Sequence, residues 1–290
     1  MNADTKVKAA LHDPPFGLSI DEIVRFALEE DVGSGDVTTA ATVGESTHAE
    51  AKLLAKESCV VCGLPIARRV FALVDAEIEF VPLVEDGDPM DSGREVAALR
   101  GRARSLLMGE RTALNFLQRL SGIATLTRTY VDRIADTRAV ILDTRKTPPL
   151  LRSLAKYAVR CGGGTNHRQG LYDAVLIKDN HIRAAGGIEP ALRRAREQYG
   201  DRYTIEIEVE DLDQLGIAVK AGADTIMLDN MAPSRIREAR ALYGDGFKIE
   251  ASGRVDLDAV AEYAAAGANF ISVGAITHSA PCVDFSMEIV

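Results

Sequence analysis

The sequence predicts an α/β protein in two parts: an N-terminal layer of helices and antiparallel-type strands, then a barrel of parallel strands. Three observations predict it. Over the first 100 residues, strand-like alternation mixes with short helical patterns and turn-rich breaks. Farther along, short apolar strands alternate with amphipathic helices, as in a parallel sheet covered on both faces. The polar residues of this second part gather at the strand ends, where barrels carry their chemistry.

The elements follow in order. Ile20 to Glu30 has helical spacing, with Ile20, Ile23, Val24 and Ala27/Leu28 on one face. Asp31 to Thr39 reads as a Gly/Asp/Thr loop, and Ala49 to Lys56 alternates as a strand. Pro65 to Val74 reads as a helix with Pro in its first turn. Glu77 to Val84 and Val96 to Arg102 read as strands, parted by the turn Glu85-Asp86-Gly87-Asp88. Ser105 to Ile134 is a long helical pattern with an expected break at Ser121-Gly122. Strands then fall at Val140–Leu142, Ala174–Ile177, Thr204–Val209, Thr225–Leu228, Lys248–Ala251 and Phe270–Val273. Helices are expected at Ile188–Tyr199, Leu212–Ala221, Pro233–Tyr243 and Leu257–Ala266.

Composition narrows the function. The 290 residues are 47% hydrophobic and 27% charged, ordinary values for a globular protein with a sizeable core. No apolar run approaches the roughly 18 residues that span a bilayer, so no membrane role is expected. The opening residues lack the apolar core of a signal peptide, so the expected compartment is the cytoplasm. Cys59-Val60-Val61-Cys62 has C-x-x-C spacing but no second ligand pair, and reads as small buried hydrophobes.

Charge is uneven. The chain is −9 overall, yet Thr144 to Lys178 holds seven Lys/Arg and one acid, Asp173. Cations gathered in a Gly-bearing stretch of an acidic chain suit a small polyanion. Nucleic acid would meet repulsion from the remaining surface.

Each strand end adds a candidate. Asp143-Thr144-Arg145-Lys146 follows the first barrel strand, and Pro148-Pro149 stiffens its exit. Arg suits a carboxylate by its planar fork, and Lys suits phosphate as a point charge. Asn166-His167-Arg168 follows a run of three glycines that permits close approach to a ligand. Lys178 ends the second strand, as a Schiff-base nucleophile or an anion clamp; spacing leaves both open. Glu208 and Asp229 end the next two strands and suit Mg²⁺ or ribose hydroxyls. The plain alternative for Glu206, Glu208 and Glu210 is one solvated strand face, which leaves Asp229 unexplained. Ser252-Gly253 and Gly274-Ala275 occupy the last two strand ends, the usual phosphate cradle of barrels.

These residues, in this order, resemble the quinolinate phosphoribosyltransferase family. The resemblance runs from Glu30-Asp31 and Gly35-Asp36-Val37-Thr38-Thr39 through Glu110-Arg111-Thr112-Ala113-Leu114-Asn115-Phe116 and Asp143-Thr144-Arg145-Lys146-Thr147-Pro148. It continues through Gly163-Gly164-Thr165-Asn166-His167-Arg168 and Leu176-Ile177-Lys178-Asp179-Asn180-His181. It ends with Glu208-Val209-Glu210, Met227-Leu228-Asp229-Asn230 and Glu250-Ala251-Ser252-Gly253.

The resemblance implies an N-terminal α/β sandwich over 1–118, joined by 276–290, and an open seven-stranded α/β barrel over 119–275. It implies a homodimer or larger assembly, with Arg111 reaching the neighbour's site. It also implies transfer of phosphoribosyl from 5-phosphoribosyl 1-diphosphate to quinolinate with Mg²⁺, releasing diphosphate and CO₂ and giving nicotinate mononucleotide.

Residue roles are implied in the same way. Quinolinate takes Arg111, Arg145, His167, Arg168 and Lys178, beside Thr144. Diphosphate and Mg²⁺ take Lys146, Glu208 and Asp229. The 5-phosphate takes Ser252, Gly253 and the Val273-Gly274-Ala275 turn, with His278 nearby. Arg254 departs from the family, which often has Gly or Asn there. A barrel aldolase using Lys178 is the rival reading; it leaves the Arg residues and Glu208/Asp229 without a role. A non-catalytic phosphate-binding relative is a second rival, disfavoured by the intact cations.

Overall fold

The computed structural model describes residues 11–14 and 17–290. The chain begins with helix α1 (Ile20–Val32), whose Ser19 and Glu22 form a reciprocal capping box. α2 (Val37–Thr42) replaces part of the expected loop, because Asp36 accepts from Thr39 N at 2.9 Å and nucleates a turn. Then come β1 (His48–Ala55), β2 (Cys59–Val60), α3 (Leu64–Val74), β3 (Glu79–Pro82), β4 (Pro89–Met90) and β5 (Glu95–Arg102).

α4 (Ala103–Arg133) is continuous through the expected break. Gly122 serves close packing: a Cβ there would lie 1.9 Å from the Pro281 carbonyl oxygen. The remaining elements are β6 (Val140–Leu142), α5 (Arg152–Cys161), β7 (Val175–Ile177), α6 (Asp179–Ala185), α7 (Ile188–Tyr199) and β8 (Ile205–Val209). They continue as α8 (Leu212–Lys220), β9 (Thr225–Asp229), α9 (Pro233–Tyr243) and β10 (Lys248–Ser252). The last are α10 (Val260–Ala265), β11 (Phe270–Ser272), α11 (Ala275–His278) and β12 (Phe285–Ile289).

The chain forms two compact units. The first runs to Arg128 and takes in Thr147–Gly163 and Thr277–Val290; the second is Thr129–Lys146 with Gly164–Ile276. The sequence expectation puts the division at residue 118, inside α4; the opening segment of the first unit runs on to Arg128 in the same helix.

The first unit holds an antiparallel sheet of order β12-β1-β5-β3, with β2 and β4 paired apart from it. Its core includes Leu53, Ile66, Phe71, Val96 and Leu117, all fully or almost fully buried. Asp86 ties this unit together, accepting from Gly63 N, Leu64 N and the Tyr157 hydroxyl at 2.7–3.0 Å. Cys62 and Cys161 lie beside it as buried thiols, and burial pushes Cys62 up.

The second unit is a parallel sheet of order β6-β11-β10-β9-β8-β7. Six strands carry it among the described residues, where seven were expected. A single bridge from Leu142 to Thr165 extends it past β6, and β6 and β7 are not paired, so the barrel stays open. Strand interiors such as Ile205, Ile207, Ile226 and Ile249 are fully buried, as a sheet covered on both faces requires. Among the described residues, no helix is long and apolar enough to cross a membrane.

Candidate active site

The C-terminal ends of the strands in the second unit surround a pocket of about 640 Å³. β6 delivers Thr144, Arg145 and Lys146, the loop after Thr165 delivers His167 and Arg168, and β7 delivers Lys178. β8, β9 and β10 deliver Glu208, Asp229 and Ser252-Gly253, with Arg254 at the rim. Four of the seven clustered cations thus line one pocket. The other three, Arg152, Lys156 and Arg160, lie on α5 in the first unit. Lys156 is fully buried there.

Asp143 organises the cationic wall. It is fully buried and accepts from His167 N at 2.9 Å and Asn166 Nδ2 at 2.5 Å. A buried carboxylate held by donors on the neighbouring loop locks the two cation-bearing segments together. Lys146 N bonds Thr144 Oγ1 at 3.0 Å, closing a tight turn that sets Arg145 and Lys146 at the strand mouth. Asp173, the acid of the cationic stretch, accepts from Gln169 N and Gly170 N and shapes the loop. Burial pushes the Arg168 guanidinium below its ordinary value, and the nearby Arg145 charge adds to this. An anion between the two guanidiniums would oppose both effects by favouring the charged form.

Opposite, Lys178 Nζ meets Glu208 Oε2 at 2.6 Å, and Asp229 Oδ2 accepts from Asn230 Nδ2 at 2.8 Å. Glu208 and Asp229 belong to adjacent strands and are partly exposed to the pocket. Hard oxygen donors with room for water fit Mg²⁺.

The phosphate-cradle candidate is tightly built. Gly253 has φ +103°, and a Cβ there would lie 2.8 Å from Asn230 N, so glycine is required. Arg254 has φ +48°, a left-handed conformation that suits the Gly or Asn expected by resemblance. Val273 is buried and its N bonds Leu142 O, fixing Gly274 and Ala275 at the start of α11. Arg111 is exposed on α4 and His278 is exposed at the end of α11; both belong to the first unit.

Sequence reasoning missed the pocket floor. Glu206 and Glu250 project inward from β8 and β10 and are buried. Glu250 Oε1 accepts from Ser272 Oγ at 2.6 Å. His167 Nε2 lies 3.1 Å from Glu206 Oε2 and 3.5 Å from Glu250 Oε2. Burial pushes the Glu206 carboxyl up to about 7. Burial, with the Glu206 charge added, pushes Glu250 to about 8. Read as a solvated face of period 2, Glu206 gave no signal; Glu250 sits two residues before Ser252 with no partner visible in sequence.

The comparisons with known proteins agree with this geometry. The profile of the quinolinate phosphoribosyl transferase N-terminal domain matches residues 36–121, and that of the C-terminal domain matches 123–288. The chain is 43% identical over 272 residues to a probable nicotinate-nucleotide pyrophosphorylase [carboxylating] of Bacillus subtilis, covering 94% of each. It is 40% identical to a quinolinate phosphoribosyltransferase [decarboxylating] of Nicotiana glauca, covering 99% of this chain and 87% of that one. The solved nicotinate-nucleotide pyrophosphorylase of Francisella tularensis superposes with TM-score 0.90 at 40% identity, covering 93% of this chain and 96% of that one. On fold, sequence and the arrangement of the strand ends together, this chain belongs to the quinolinate phosphoribosyltransferase family.

Proposed function

We propose that this chain transfers the phosphoribosyl group of 5-phosphoribosyl 1-diphosphate to quinolinate, with decarboxylation, giving nicotinate mononucleotide for NAD biosynthesis. The observation that carries this is one pocket that brings together four cations, two carboxylates and a Ser-Gly loop at the strand ends. A dicarboxylate acceptor and a phosphorylated donor with its metal need such a mixed lining.

Arg145, Arg168 and Lys178 bind the two carboxylates and hold the pyridine nitrogen in line with the ribose C1, an entropic gain. Lys146 stabilises the charge that builds on departing diphosphate. Glu208 and Asp229 would hold Mg²⁺, which would supply charge neutralisation for the diphosphate. Ser252, Gly253 and Gly274 receive the 5-phosphate through backbone N–H groups. The attacking nitrogen carries no proton, so no general base is required. The ribosylated pyridinium stabilises the carbanion left by loss of CO₂, and that carbon then takes a proton from water.

Arg111 acts in trans within a homodimer or larger assembly, adding a carboxylate contact, and the enzyme works in the cytoplasm. The reaction is tested by assaying nicotinate mononucleotide from quinolinate, with nicotinate as the comparison acceptor. Product from quinolinate alone is expected. Product from nicotinate instead would overturn the reading.

A further inference from the structure

The floor cluster has a geometry that decides its chemistry. Glu206, Glu250 and His167 place their ligand atoms within 4.8 Å of one another, as a metal site does. The tautomer of His167 excludes that use. Its Nδ1 accepts from Arg168 N at 2.7 Å, so the ring proton sits on Nε2. An Nε2–H has no lone pair for a metal and instead faces the carboxyl oxygens of Glu206 at 3.1 Å and Glu250 at 3.5 Å.

Both ring nitrogens are therefore turned to the protein, while His167 still lines the pocket. What it presents there is its carbon edge and face, a flat surface suited to a planar aromatic acid. We infer that Glu206 and Glu250 are positioning residues, which grip the His167 ring so that it forms the wall for the acceptor ring and anchors the backbone of Arg168. The inference rests on the function proposed above for the identity of that acceptor.

The parts interlock. Glu250 lies level with Met227 and Glu208 across the sheet, within reach of the mouth, and Ser272 holds its other oxygen at 2.6 Å. Asp143 fixes the His167 backbone from the opposite side. The ring is thus held at its backbone, at Nδ1 and at Nε2. Loosening the Nε2 end frees the ring and, through Nδ1, the Arg168 peptide. The donor's phosphates meet other residues, so the defect should fall on the acceptor.

The experiment compares Glu250→Leu, Glu250→Gln and Ser272→Ala with the parent enzyme. Steady-state kinetics are run for both substrates, alongside ¹⁵N-histidine NMR, with His167 assigned by its loss in His167→Phe. Glu250→Leu should raise the KM for quinolinate about tenfold, equivalent to about 1.4 kcal/mol, and leave the donor KM unchanged. It should also mix the His167 tautomers. Glu250→Gln keeps a hydrogen-bonding group and should recover most of the affinity and the Nε2–H form. Ser272→Ala, which leaves the core filled, should show the same split more weakly, and replaces Glu250→Leu if that variant does not fold.

Equal rises in both KM values, or an unchanged quinolinate KM with an unchanged tautomer, would overturn the positioning role. If the parent enzyme does not use quinolinate, the proposed function fails, and the NMR comparison alone still decides whether the carboxyl pair grips the ring.

Discussion

At the scale of single residues, the four pocket cations were legible because they stand at or just past strand ends, where barrels carry their chemistry. Arg145→Ala and Arg168→Ala should each raise the quinolinate KM about tenfold or more, the loss of a charge-assisted bond worth about 1.5–3 kcal/mol. The donor KM should hardly move, and steady-state kinetics with each substrate varied would show it. Arg254 pays for a left-handed backbone; Arg254→Gly should stabilise the protein by up to about 1 kcal/mol, read as a higher Tm. Glu206 and Glu250 were illegible, because period-2 alternation looks the same whether a face meets solvent or a barrel interior. Their burial predicts a pH effect. Both carboxyls titrate higher when folded than when unfolded, with Glu250 at about 8. The stability they contribute is full below the ordinary carboxylate range and is lost as pH rises through about 7 to 8. Glu250→Gln should therefore lose less Tm than the parent between those limits in a pH series of thermal melts.

At the scale of elements, most helices and strands of the second unit were visible as alternating apolar runs. The helices Pro233–Tyr243 and Ile188–Tyr199 match residue for residue. α6 went unassigned, and α5 showed only as the helical spacing of Arg152, Lys156 and Arg160 between Pro and Gly motifs. Ser121-Gly122 misled for a physical reason: glycine marks close approach as well as breakage. Gly122→Ala has to displace the Pro281 carbonyl, and overpacking of this kind costs about 1–3 kcal/mol. Thermal melts should show a Tm lowered by many degrees, with α-helical circular dichroism retained below it.

At the scale of the molecule, the division of labour between units was legible in outline and its boundary was not, because α4 continues through it without a change of periodicity. The trans role proposed for Arg111 makes a prediction of assembly. Mixing Arg111→Ala with Lys146→Ala subunits should restore part of the activity that each lacks; no recovery after proven subunit exchange would remove the shared site.

β12 is the farthest along the chain of the strands described, yet it pairs with β1, Ala51 opposite Ile289. Roughly 230 residues separate β1 from β12 along the chain. At about 5–20 residues per second, a ribosome leaves that edge of β1 open for about 10–50 s after it emerges. The alternating charges Glu50 and Lys52 are what guard it against pairing with another nascent chain. A chain cut before Phe285 keeps the edge open permanently, and should partition into the pellet while the full chain stays in the supernatant.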